Sequence, residues 1–178
     1  MKAPKTPKTQ QKEKTIRKGL SEKELSLISH LELKGKYFFT TKDATPFFKN
    51  ANERKVYIYR LKKKARIVKL NKNKYFLIPI KAVNGNWAEH PFILIDEIMN
   101  SKDYSIVGKA AANYWKLIDQ IPLVYEVWNT KKHKKIQIFN SILNCKKHKR
   151  SDIPNSIEKE IYSHKFIIAT KEESKKWI

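Results

Sequence analysis

Apolar positions recur along the chain in blocks of different period. Leu25, Ile28 and Leu31, with Leu27 beside them, fall at helical spacing, and Ser21 followed by Glu24 has the spacing of a capping box. This predicts a helix from residue 21 that ends near Lys34–Gly35, where a glycine can close it. Lys36-Tyr-Phe-Phe-Thr40 is a short aromatic run suited to a strand. Thr41, Asp43 and Ala44 then predict a capped second helix of about two turns, with Pro46 early in it. Asn50-Ala-Asn52 reads as a turn. A third helix follows over 53–64, with Tyr57, Ile58, Leu61 and Ala65 on its inner side and Lys55, Tyr59, Lys62 and Lys63 on the other. Residues 66–70 and 75–80 are strand-like runs around a polar, basic tip, Asn71-Lys-Asn-Lys74. Three helices and a hairpin in this order predict a winged helix-turn-helix over 21–80, whose third helix enters a major groove.

Residues 81–90 are turn-rich and read as a linker. Pro91 can open a helix that buries Phe92, Ile95, Ile98 and Met99. Strand-like runs at 104–107, 123–128, 136–143 and 166–169, with a helix at 108–117, predict a small α+β domain over 91–178. The strands at 123–128 and 136–143 could pair as a hairpin with a basic turn. Residues 1–20 have Ile16 as their only bulky apolar residue before Leu20, and are expected to form a disordered basic arm. The fold class expected is therefore α+β, an N-terminal winged helix followed by a small α+β domain.

Charge narrows the function. The 178 residues include 39 Lys+Arg and 17 Asp+Glu, a formal net charge of +22 with a pI near 10.0. Residues 1–74 hold 22 of those cations and only 6 of the acids. A second cluster comprises Lys131, Lys132, Lys134 and Lys135, then Lys146, Lys147, Lys149 and Arg150, with no acid from 131 to 150. Such an excess favours a polyanionic partner. No run approaches the ~20 apolar residues of a spanning helix, and the Lys-rich start lacks the apolar stretch of a secretory signal. A cytoplasmic protein without membrane contact is expected. The single cysteine, Cys145, excludes an internal disulfide framework.

Catalytic patterns are absent. Four glycines provide no phosphate-binding loop, and no HExxH or GxSxG occurs. Asp96-Glu97 lies on a predicted amphipathic helix and reads as solvated. Cys145 and His148 lack the further ligands zinc needs. A non-enzymatic protein with no cofactor and no metal is expected. The candidate DNA-binding residues are Thr41 and Lys42 at the second helix, and Asn52, Arg54, Lys55, Tyr59, Lys62 and Lys63 at the third. To these the wing tip adds Lys72 and Lys74, and the later cluster adds Lys131, Lys132, Lys134 and Lys135. Lysines that neutralise phosphates release counterions, whereas Asn52, Arg54 and Tyr59 have the hydrogen-bonding chemistry to touch base edges. The same surfaces also suit an RNA-binding accessory protein, or a module that takes an acidic protein partner.

The stretch Tyr104-Ser-Ile-Val-Gly108 leading through Ala110-Ala-Ala-Asn-Tyr-Trp-Lys-Leu-Ile-Asp-Gln-Ile-Pro122 resembles the AbiEi antitoxin family. Leu61-Lys-Lys-Lys-Ala-Arg-Ile-Val-Lys-Leu70 and Lys74-Tyr-Phe-Leu-Ile-Pro79 are similar to that family's N-terminal domain, and Ile167-Ile-Ala-Thr-Lys-Glu172 to a later element. Ala65 and Lys116 stand where the family commonly has glycines, and Lys109 where it has serine. The resemblance implies an autorepressor that binds double-stranded operator DNA and serves as antitoxin in a type IV system. It also implies functional pairing with a nucleotidyltransferase toxin without stable contact.

Overall fold

The computed structural model describes residues 19–82, 87, 89–100 and 103–178. The expected basic arm lies outside them except for Gly19 and Leu20, as do residues 83–86 and 88 of the expected linker. Helix α1, Glu22–Leu33, begins with both halves of the capping box: the Ser21 hydroxyl accepts from the Glu24 N–H, and the Glu24 carboxylate accepts from the Ser21 N–H. Strand β1, Phe38–Thr40, follows. The expected second helix does not form. Asp43 accepts from the backbone and hydroxyl of Thr40, so it closes a turn backwards instead of capping a helix ahead. Only a single 3-10 turn, Thr45–Phe47, remains, with Pro46 in it. Helix α2, Ala51–Lys63, starts two residues before the expected 53 because the Asn50 side chain accepts from the Glu53 N–H at 2.9 Å.

Strands β2, Ile67–Lys69, and β3, Lys74–Leu77, form the expected hairpin, and β1 pairs antiparallel with β3 to give the order β1-β3-β2. Both faces of this sheet are apolar. Phe39, Ile67, Tyr75 and Leu77 pack with Leu27, Ile28, Ile58 and Leu61 of α1 and α2. Leu70, Phe76 and Ile78 alternate onto the opposite face and join a second core.

That second core belongs to the rest of the chain. Helix α3 spans Pro91–Met99, β4 Tyr104–Val107 and α4 Gly108–Tyr114. Strands β5, Val124–Asn129, β6, Lys134–Ile138, β7, Ser141–Lys147, β8, Ser156–Ile161, and β9, His164–Ala169, follow, then the short helix α5, Lys171–Ser174. They form a six-stranded mixed sheet of order β6-β7-β5-β4-β9-β8. The run expected as one strand at 136–143 is two, with Phe139 at φ +52° in the turn between them. Hence β5 has no hairpin partner in β6. Instead β7, with buried Leu143 and Cys145, takes the inner place parallel to β5, and β6, with exposed Lys134 and Lys135, takes the edge.

The turn-rich residues 81–90 do not separate two cores. Leu70, Phe76, Ile78 and Ala82 share one core with Phe92, Ile98, Tyr104 and Ile106. Ring contacts of 5.8 Å between Phe38 and His164 and 5.7 Å between Phe76 and Phe139 cross the same boundary. The α+β class is thus observed, with the N-terminal unit packed directly on the rest.

Ala65 and Lys116, the positions where the AbiEi resemblance places glycine, adopt φ +53° and +56°. Each closes a helix: the Arg66 N–H donates to the Leu61 carbonyl at 2.9 Å, and the Leu117 N–H to the Ala112 carbonyl at 2.9 Å. A left-handed conformation costs an L-residue roughly 1–2 kcal/mol, more than the ~0.4–1 kcal/mol of unfolded-chain freedom that glycine adds. Ala65→Gly and Lys116→Gly are each expected to raise stability in urea unfolding by about 0.5–1 kcal/mol. A loss of stability in both variants would contradict this account of the two helix ends.

Candidate nucleic-acid interface

Helix α2 is amphipathic, and its outer side is chemically mixed. Asn52, Lys55, Val56, Tyr59 and Lys63 are exposed and fall at i, i+3, i+4, i+7 and i+11, which places them along one strip, with Lys62 beside it. Lys63 Nζ lies 5.1 Å from the centre of the Tyr59 ring. Among the described residues, Lys42, Lys55, Lys62 and Lys63 enter no ion pair. Val56, 46% exposed at the centre of the strip, is not among the predicted residues, since it carries neither charge nor a hydrogen-bonding group. Its spacing from Asn52 and Tyr59 was the available signal. A small apolar group there suits a thymine methyl.

Two of the predicted residues face elsewhere. Arg54 lies one turn before Ile58 on the inner side of α2, and its guanidinium donates to the Thr45 hydroxyl at 2.7 Å. The Thr45 hydroxyl in turn donates to the Thr41 carbonyl at 3.1 Å, and the Thr41 N–H donates to the carbonyl of Asn73 at the hairpin tip. Arg54 and Thr41 therefore join α2, the 3-10 turn and the hairpin, and neither belongs to the exposed strip. Lys42 is exposed beside them. Asp43 anchors the same turn. Its partial burial would raise its pKa, but Lys36 Nζ at 2.6 Å and the two Thr40 donors outweigh that and hold it down at about 2.

The lysines of the expected wing separate. Asn71 Oδ1 accepts from the N–H groups of Asn73 and Lys74 and shapes the tip, where Lys72 is exposed. Lys74 instead turns towards α3, pairing with Glu97 and donating to Asn100 Oδ1 at 3.0 Å. Lys74 is thus a tie across the seam, and the expectation that it reaches a phosphate does not fit this placement.

The later basic run divides in the same way. It is not a hairpin tip but the passage from β5 to the edge strand β6. Asn129, fully buried, accepts from the N–H groups of Lys131 and Lys132 and donates to the carbonyls of Lys132 and Lys146, which fixes this passage. Lys131 lies 3.6 Å from Asp103, which also receives Arg150 at 2.8 Å. Lys132 donates to the Ile98 carbonyl at 3.2 Å, and burial, reinforced by Lys134 and Lys131, lowers its pKa despite Cys145. Lys132 and Lys74 thus converge on the carboxyl end of α3, where a helix favours cations. Lys134 and Lys135 remain exposed on β6.

Asp96 and Glu97 are engaged rather than solvated. The Tyr104 hydroxyl donates to Asp96 at 2.7 Å, and burial raises the Asp96 pKa despite that bond. Glu97 holds Lys74. The Cys145 thiol is buried, which pushes its pKa up and makes it a poor nucleophile. Among the described residues, no group of three or more His, Cys, Asp or Glu could hold a metal ion, and no helix is long and apolar enough to cross a membrane.

No protein-family model and no curated protein sequence matches the chain. Among solved structures it is similar to the RV2827C protein from Mycobacterium tuberculosis, with a TM-score of 0.53 and 14% identity over 76% of this chain and 49% of that one. The likeness is one of fold, and the chain spans about half the length of that protein.

The Asp43 anchor has a pH signature. Its folded pKa of about 2 lies below the ordinary 3.8, so its contribution, on the order of 2 kcal/mol, is complete above about pH 4 and lost as pH falls towards 2. Asp43→Asn should cost about that much at pH 6, and the gap should shrink by more than half near pH 2.5. Urea titrations at the two pH values measure it, and a constant gap would exclude the linkage.

Proposed function

We propose that the chain is a non-catalytic, cytoplasmic DNA-binding regulator of the AbiEi antitoxin type, whose residues 21–80 act as a winged helix on a double-stranded operator. The observation that carries this reading is the exposed strip of α2, where lysines that enter no ion pair among the described residues flank Asn52, Val56 and Tyr59. The strand order β1-β3-β2 behind a helix, a 3-10 turn and α2 is compatible with a winged helix in which the turn replaces the second helix. At 13 residues α2 is about 20 Å long, and a major groove about 12 Å wide admits such a helix. Lys55, Lys62 and Lys63, with Lys42 and Lys72 on either side, would neutralise phosphates, and Asn52, Val56 and Tyr59 would meet base edges. Lys134 and Lys135 would lengthen the phosphate track. As the AbiEi resemblance implies, a nucleotidyltransferase toxin would be a functional partner without stable contact.

Binding of a duplex bearing the protein's own promoter, measured against salt, tests this reading. Lys55→Ala with Lys63→Ala should weaken binding to every sequence and lower the slope of log affinity against log salt by about 2. Asn52→Ala or Val56→Ala should cost about 1–3 kcal/mol on the operator and relax its sequence preference. Unchanged operator binding in the combined Lys55, Tyr59 and Lys63 alanine variant would overturn the proposal.

The two wing lysines should part company. Lys72→Ala is expected to lower the salt slope by about 1 and leave stability within about 0.5 kcal/mol. Lys74→Ala should cost about 1–3 kcal/mol of stability, because Glu97 loses its partner in the seam, without changing the slope. The opposite assignment would place Lys74 on the nucleic acid.

A further inference from the structure

Outside α2, one basic patch is built around stacked rings. His148, just past β7, lies on Trp128 of β5 with ring centres 4.1 Å apart and planes 18° from parallel. The His148 N–H donates to the Asn129 carbonyl at 2.8 Å, and Trp177 meets Trp128 edge-on at 6.2 Å and 84°. Each of the two stacked rings lines a depression, and Asp152 borders both. Trp128 and Trp177 line one of about 440 Å³, and His148 lines the other, of about 690 Å³, with Thr130, Lys147, Lys149, Arg150 and Asp152. Arg150 is committed to Asp103, but Lys147 and Lys149 are exposed and enter no ion pair among the described residues.

We infer that the depression beside His148 is a stacking site for an unpaired nucleotide of a single strand. A nucleotide combines the two features the site answers: a flat ring that can extend the Trp128–His148 stack, and a phosphate for Lys147 and Lys149 at its rim. A bare anion would gain nothing from the rings, and an apolar ligand would leave the lysines unanswered. Inside a duplex both base faces are covered by neighbouring bases, so away from its two ends only an unpaired base offers a face to His148. The rings are already held in place, so stacking need not order them first. The site is independent of α2.

Fluorescence anisotropy with the full chain tests the inference, using labelled oligouridylate and oligothymidylate of about ten nucleotides and a blunt duplex of the same length. His148→Ala should weaken single-strand binding about tenfold and leave the duplex within about twofold, while His148→Tyr, which keeps an aromatic face, should bind near the parent level. Lys147→Ala with Lys149→Ala should weaken the single strand and flatten its salt dependence. The combined Lys55, Tyr59 and Lys63 alanine variant should retain single-strand binding, which separates this site from the α2 proposal. Tighter binding of uridylate would assign the site to RNA, of thymidylate to DNA. Unchanged single-strand affinity in His148→Ala, equal losses on single strand and duplex, or no rescue by tyrosine would each overturn the inference.

Discussion

Strand β3 is apolar on both faces, and the arrangement of the whole molecule depends on that. Tyr75 and Leu77 point to α1 and α2, and Phe76 and Ile78 point to the core that holds α3 and the mixed sheet. Full burial of a large apolar side chain stabilises by about 1.5–3 kcal/mol, so a segment that buries four in succession, three in the strand and Ile78 just past it, is a strong constraint. An exposed second face would have left the N-terminal unit free on a tether. Because that face is covered, the outer strip of α2 and the surface of the mixed sheet are held in one body. A rigid surface of this kind presents its charges without an ordering cost on binding.

Within that body, the acids determine which cations face outward. Glu97 takes Lys74, Glu126 takes Lys146, Asp103 takes Lys131 and Arg150, and Glu24, buried at the start of α1, takes Lys64. The exposed pairs, those of Asp103 with Lys131 and Arg150, contribute little stability, about 0–1 kcal/mol, but every pair removes a cation from the surface available to a polyanion. Among the described residues, the outer strip of α2, β6 and the end of β7 each keep exposed lysines that enter no ion pair. Net charge alone does not make that selection. It follows from where the fold brings the few acids.

Much of the local structure was legible along the chain. The Ser21–Glu24 box and the helical spacing of Leu25, Ile28 and Leu31 define α1 with local interactions alone, although Leu27 and not the exposed Leu25 completes its buried face, and the period of Tyr57, Ile58 and Leu61 defines α2. The missed elements had weak local signatures, Asn140 alone marking the turn between β6 and β7. The turn at Phe139 has an aromatic residue in the left-handed region where glycine or asparagine would have signalled it. In β8, Glu158, Lys159 and Glu160 interrupt the apolar run, and the strand is defined by its pairing with β9. The second helix was a false signal, because Asp43 has the chemistry of a cap for residues ahead but bonds to Thr40 behind.

The candidate interface shows the same division. By itself the sequence determined that the chain is an α+β protein with a strongly basic N-terminal half and an amphipathic α2 whose outer side carries Lys55, Tyr59, Lys62 and Lys63, since helical period and charge are properties of neighbours along the chain. Only the tertiary structure decided that Arg54 ties α2 to Thr45, that Lys74 and Lys132 turn to the end of α3, and that His148 stacks on Trp128. Those choices depend on partners 9 to 34 residues away. A long flexible side chain has many partners within reach, and the packing of distant segments selects among them.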